Sequence, residues 1–204
     1  MKHQHGVSLI IVLIMLGVMA LTSASTLRNA SSNERVSNNF RMQVLAHHYA
    51  EAALRYCEMQ LTLADESRVA TLKESNLAVS TATLAWRQRV SWTGAGGVMA
   101  SRTSVPEAVV VSAVSPFKPS LLPECVVEKK ALDGGLVYVV TARGFSPDYS
   151  ADGRGFTVKG SVVWLQTWLA IQRSVVADLP AEANVSAGTL VDRSWRRILN
   201  PPIH

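Results

Sequence analysis

The segment from Val7 to Leu27 carries no charged residue, and it constrains the fold more than any other part of the 204-residue chain. Between Val7 and Leu21 only Ser8 and Gly17 interrupt the run of apolar side chains. As a helix rising ~1.5 Å per residue, the segment spans about 32 Å, which is enough to cross a bilayer core of ~30 Å. We therefore predict a transmembrane helix over residues 7–27.

The helix is predicted to continue well beyond the apolar run. The first proline of the chain is Pro106, and the polar stretch Arg28–Asn39 contains neither proline nor glycine. After Phe40, apolar residues recur at alternating spacings of four and three, which marks one face of a helix. We predict that residues 28–64 form an amphipathic half that docks a globular domain through this seam: Leu45, Tyr49, Ala52, Tyr56, Met59 and Leu63.

Residues 65–204 are predicted to form the globular domain, with an antiparallel sheet and a C-terminal tail. The Asp133-Gly134 pair is a strong hairpin signal between two apolar segments. Strands are expected at about 108–112, 125–130, 136–145 and 156–169. A long helix packed on such a small sheet belongs to the α+β class.

Charge and histidine content argue against an enzyme, a metal site and a nucleic-acid partner. The chain has 20 Lys and Arg against 15 Asp and Glu, without a Lys/Arg-rich block. Histidine is absent from residue 49 to residue 203, so histidine-dependent chemistry in the globular part is hard to build. His47 and Glu51 share a helix face, but two residues do not make a site. We expect no catalytic residues, no metal and no cofactor.

The two cysteines, Cys57 and Cys125, are far apart in the sequence and lack the spacing of a metal site. If the domain folds outside the cytoplasm, they are expected to form one disulfide. The alternative is two separate buried thiols.

Five tryptophans are present, and most are expected to lie in the core. Trp164 and Trp168 lie four residues apart on one face of a predicted strand. If the protein has an adhesive surface, this pair is its first candidate.

Three interpretations of the N-terminus are open. It is a secretory signal peptide cleaved near Thr22–Ala24, an uncleaved anchor, or a short leader that ends at Gly6 and is removed before the apolar run. The third accounts for the brevity of the leader and for the helical seam that follows.

The chain resembles type IV pilin-like proteins, and most closely the PilX-type minor pilins. The specific part covers roughly the first 60 residues. The segments that carry the resemblance are Gly6–Met15, the polar stretch with Asn29, Glu34, Arg35 and Asn39, Ala50–Arg55, and the shorter Pro123–Glu128, Tyr138–Gly144 and Ser194–Arg197.

This resemblance implies that a prepilin peptidase cleaves after Gly6 and methylates the new amino group of Val7. The helix would hold the subunit in the inner membrane with residues 65–204 in the periplasm, until the subunit enters an extracellular pilus. The implied partners are other minor pilins, the major pilin and the inner-membrane assembly platform.

One position departs from the pilin pattern. Most pilins carry Glu at mature position five, where this chain has Ile11. In the family that Glu is thought to pair with the α-amino group of a neighbouring subunit, and a subunit without it fits best at a filament end. A priming or tip role is therefore favoured, although Ile11 also fits a relaxed requirement. The other assignments are a K-type-like pseudopilin of type II secretion and an ordinary secreted or membrane-anchored periplasmic binding protein.

Overall fold

The computed structural model describes residues 7–80, 83–93, 99–110, 118–132, 135–173 and 187–202. The chain divides into two compact units, Met1–Arg41 and Met42–His204. Helix α1 (Val7–Thr62) belongs to both, and α2 is a single turn at Glu107–Val110. The strands are β1 (Val79–Ser80), β2 (Thr103–Ser104), β3 (Glu124–Leu132), β4 (Gly135–Phe145), β5 (Ser150–Ala151), β6 (Thr157–Lys159), β7 (Val162–Arg173) and β8 (Gly188–Ile198).

The first unit consists of the N-terminal part of α1. From Ser8 to Arg41 the side chains are exposed, including the uncharged run of Leu, Ile, Val and Met. By length and composition α1 is able to cross a membrane. The prediction of one long N-terminal helix is confirmed, and α1 ends at Thr62.

In the second unit, the last part of α1 packs on a sheet in which β3, β4, β7 and β8 form an antiparallel meander. The predicted α+β class is therefore confirmed. The sheet is mixed, because the two-residue β1 pairs parallel with β3 while β2 pairs antiparallel with the same strand. A separate ribbon joins β5 and β6.

Two strand predictions need correction, and the predicted C-terminal tail contains the eleven-residue strand β8. In place of the strand predicted at 108–112, residues 107–110 form α2, because Pro106 starts a turn in which its carbonyl oxygen accepts a hydrogen bond of 2.9 Å from Val109 N. Residues 111–112 lie outside the described residues. The residues of the predicted Asp133-Gly134 turn also lie outside them. The strand predicted over 156–169 is interrupted at Gly160, whose φ of 80° suits a glycine turn and separates β6 from β7.

The buried face of α1 is rotated from the predicted seam. Tyr49 and Tyr56 are buried as expected, but Met59 is 52% exposed and Leu63 follows the end of the helix. Leu45 and Ala52 are half-buried. The residues that face the sheet are smaller on average: Ala46, Ala50, Ala53, Leu54, Cys57 and Leu61.

Small side chains explain the rotation, because they let the helix backbone approach the sheet. At Gly144 of β4, an added Cβ would overlap Ala50 N and the Ala46 carbonyl oxygen, and would lie 2.7 Å from the Tyr49 carbonyl carbon. Apolar residues of β3, β4 and β7 complete this core, among them Val127, Val140 and Leu165. Close packing therefore favours burial of the helix face that carries Ala46, Ala50 and Ala53 over burial of the face with larger side chains.

The opposite face of the sheet is covered by residues 84–92, which form the 3₁₀ helices Ala85–Arg87 and Arg89–Ser91. This segment contributes Leu84, Trp86 and Trp92 to a second apolar cluster with Val126, Val139 and Trp164. The strands β3, β4 and β7 are therefore covered on both faces of the sheet.

Candidate functional site

The predicted processing site lies at the start of the described chain. Gly6 and the rest of the leader, residues 1–6, lie outside the described residues, while Val7 is the first residue of α1. Ile11, at the position where most pilins have Glu, lies on α1 with 50% of its surface exposed. An apolar side chain on an exposed and uncharged helix face suits a lipid or helix contact.

Cys57 and Cys125 form a disulfide between α1 and β3, as predicted on the condition of an extracytoplasmic fold. Both residues are fully buried in the core beneath α1, and their Cα atoms lie 6.7 Å apart. The bond therefore ties the end of the long helix directly to the sheet, and the alternative of two separate thiols is excluded.

The prediction that Trp164 and Trp168 form an exposed surface is wrong for Trp164. This side chain is only 2% exposed, and Trp168 is half-buried. Trp164 meets the edge of Trp92 at a ring distance of 4.7 Å, because the segment 84–92 lies over this face of the sheet. Its role is packing.

A buried arginine lies beside the edge-to-face pair of Trp92 and Trp164. Arg143 of β4 pairs with Glu124 and places its guanidinium 5.0 Å from the Trp92 ring and 5.3 Å from the Trp164 ring. Burial lowers the pKa of Arg143, and the charge of Glu124 opposes that shift. Arg102 binds the same carboxylate at 3.0 Å, so two cations share one anion. We interpret this group as structural.

Glu128 is a second buried acidic side chain, and the sequence analysis missed it. Its carboxylate is fully buried and accepts hydrogen bonds from Ser80 Oγ, from Ala85 N at 2.7 Å and from Trp86 N at 3.1 Å. The side chain thereby fastens the 84–92 segment to β3. The only available signal was a Glu within an apolar strand.

A larger charged cluster surrounds Glu74 where α1 ends. The Glu74 carboxylate lies 3.0 Å from Lys129 Nζ and 3.2 Å from Arg68 Nη1, and accepts a bond from Tyr138 OH at 3.3 Å. Arg68 also donates to the carbonyl oxygens of Leu61 at 3.0 Å and of Leu63 at 3.1 Å. The cluster thus satisfies carbonyl groups left unpaired at the helix end.

The cluster shifts two pKa values in opposite directions. Burial alone would raise the pKa of Glu74, but Lys129, Arg173 and Arg68 hold it below its ordinary value of 4.5. The pKa of Tyr138 is raised by burial and by the neighbouring Glu74 charge. The carboxylate is therefore ionised at neutral pH and held by cations on three sides.

We expect Glu74 to make the free energy of unfolding depend on pH in the acidic range. Because its pKa is lower in the folded chain than in the unfolded one, its contribution is present above about pH 4.5 and is lost as the pH falls through the folded value. Glu74→Gln should flatten the fall in unfolding free energy between about pH 5 and pH 3, measured by denaturant titration. The exposed Glu66→Gln is the control, and equal slopes for wild type and Glu74→Gln would contradict the expectation.

The acidic side chains of Glu51 and Asp152 have local partners. Glu51 pairs with Arg55 at 2.5 Å and does not form a site with His47. Asp152 accepts the backbone N–H groups of Arg154 and Phe156 in a tight turn. Within the described ranges, no group of three or more His, Cys, Asp or Glu side chains could hold a metal ion.

The chain was compared with known proteins in three ways. None of the family models, curated proteins or solved structures searched matches it. Its function has to be argued from its own residues.

Proposed function

We propose that this protein is a minor pilin of the type IV pilus, which primes assembly and lies at or near the filament tip. The observation that supports the proposal best is α1: its apolar first part is long enough to cross a membrane, and the same helix continues into the core of the Met42–His204 unit. A signal peptide that is removed by cleavage does not need to continue as a helix into the core of the folded domain. The buried Cys57–Cys125 disulfide suits a domain that folds in the periplasm.

The mechanism proposed is assembly, not catalysis. The residues 7–27 would pack laterally against the helices of other minor pilins and of the major pilin, first in the inner membrane and then in the filament. Ile11 cannot form the ion pair that a Glu would offer there, because it has no charge. This supports a place at an end of the filament, where one such neighbour is missing.

Intact mass after co-expression with a prepilin peptidase tests the proposal. We expect the wild-type chain to lose residues 1–6 and to begin at methylated Val7, whereas Gly6→Ala should keep the leader because the peptidase no longer recognises its site. Ala24→Leu is the matched control, since it blocks cleavage by a signal peptidase but should leave the Val7 start unchanged.

Two outcomes would contradict the proposal. A mature chain that begins at Ser25 would identify a signal peptide, and an uncleaved wild-type chain would identify a simple anchor.

If the start at Val7 is found, labelling of the protein in filaments tests its position in the filament. Label spread along the shaft would contradict the tip.

A further inference from the structure

Strand β8 leaves one edge of the main sheet without a partner. The strand order is β1-β3-β4-β7-β8, so β8 pairs with β7 on one side and with no other strand of the described residues on the other. The opposite edge of the sheet is occupied by the two-residue strands β1 and β2, whereas β8 extends over eleven residues. A long edge strand presents a row of unpaired N–H and C=O groups.

Part of this edge has the regularity that pairing requires. The register shifts at Val191, which forms a bulge opposite Ala170 and Ile171. Such bulges discourage pairing. From Asp192 to Ile198 the register is unbroken and the sequence contains no proline. This stretch, which we call the β8 edge, is therefore open to a further strand.

Six of the seven side chains of the β8 edge are exposed, and three of the seven are arginines. Arg193 pairs with Glu58 at 3.1 Å, but Arg196 donates only to the neutral Gln166 amide oxygen, at 3.1 and 2.8 Å. Arg197 makes no hydrogen bond or ion pair with the residues that the structure describes. With Asp192 as its single acid, the β8 edge carries two cationic side chains that have no anionic partner among the residues that the structure describes.

An indentation lies next to this edge on the side of α1. Its volume is about 260 Å³, and its lining includes His47, Leu54, Leu165 and Trp195. The Trp195 side chain is 62% exposed, which is unusual for so large an aromatic surface. Because side chains alternate along a strand, a strand added beside β8 would direct every second side chain towards this indentation.

We propose that the β8 edge binds an extended acidic segment of another protein, which adds to the sheet as a further strand. Backbone pairing would supply affinity, and the charges of Arg196 and Arg197 would select acidic partners. A second copy of this chain is disfavoured, because antiparallel pairing of two β8 edges about Trp195, the register of greatest overlap, brings Arg193 against Arg197. The inference depends on β8 alone and not on the function proposed above.

Two peptides of about ten residues test the proposal, one repeating Val-Val-Glu-Glu and one repeating Val-Val-Lys-Lys. In these peptides charged side chains lie on both faces of the added strand, as Arg196 and Arg197 do on β8. Each is titrated into the full chain in detergent micelles, followed by tryptophan fluorescence and by hydrogen exchange of the β8 amides. We expect the Glu peptide to bind at least about tenfold more tightly than the Lys peptide and to protect β8 amides that exchange in the unliganded chain. N-methylation of alternate amides in the peptide should abolish binding.

Charge variants separate the edge from the rest of the surface. Arg196→Gln with Arg197→Gln should reduce the preference for the Glu peptide to within about threefold, and Gln166 keeps its bond from Trp168 Nε1 in that variant. Arg154→Gln with Lys159→Gln removes the same charge from exposed positions outside β8 and should retain the preference.

Four results would overturn the proposal. They are equal binding of the two peptides, no binding of either at about 1 mM, protection of the outward-facing β8 amides before any peptide is added, and a dimer of the chain in which those amides are protected.

Discussion

Replacing Gly144 with valine is expected to destabilise the Met42–His204 unit by more than about 3 kcal/mol. The new Cβ would overlap the backbone of α1 at Ala46 and Ala50, and these atoms belong to a helix whose own hydrogen bonds hold them in place. A flexible side chain could move aside, but a helix backbone cannot. The helix would have to withdraw from the sheet and leave cavities on both sides of the contact.

Denaturant unfolding of the full chain in detergent micelles, followed by tryptophan fluorescence, measures this effect. Gly144→Ala should lie between wild type and Gly144→Val, because it introduces the overlapping Cβ without the further methyl groups. Gly153→Ala is the control: Gly153 has open space around its Cα and no left-handed φ, so its unfolding free energy should change by less than about 0.5 kcal/mol. A Gly144→Val protein as stable as wild type would show that the helix does not lie this close.

Removal of the Cys57–Cys125 disulfide is expected to cost about 4 kcal/mol, because the bond closes a loop between residues 68 positions apart and restricts the unfolded chain. Both sulfur atoms are buried, so Cys57→Ala with Cys125→Ala adds a packing loss. With a total stability of about 5–15 kcal/mol for typical domains, this fraction is large.

Two measurements check the expectation. Denaturant unfolding with and without reductant gives the difference in unfolding free energy, and the Cys57→Ala/Cys125→Ala variant should be insensitive to reductant. Thiol alkylation of the unfolded wild type without reductant should label neither cysteine. Two labelled cysteines would contradict the disulfide, and an unchanged unfolding midpoint on reduction would contradict its stabilising role.

Local sequence patterns were sufficient for several elements. The long helix follows from an apolar run and the absence of proline before Pro106, and β3 and β4 lie where apolar strands were expected. The disulfide required no choice of partner, since the chain has two cysteines. In each case the property depends on neighbouring residues or on composition.

Patterns along the chain were insufficient to predict which residues make contact where two distant segments meet. Large side chains suggested a docking seam through Leu45 and Met59, but the face that docks carries Ala46, Ala50 and Ala53. The deciding residue was Gly144, almost a hundred positions away in the sequence, which leaves room for the helix backbone. Helical periodicity indicates that a helix has an apolar face, but the sheet surface on which the helix packs determines which face is buried.

The sequence by itself determined the apolar helix and the α+β class, and it left Cys57 and Cys125 as each other's only possible disulfide partner within the chain. Only the tertiary structure decided that Trp164 is buried, that Glu74 and Glu128 are held by distant donors, and that β8 is left at an edge. The reason is physical: local conformation depends on nearby residues, whereas burial, charge pairing and strand order depend on which remote surfaces come into contact.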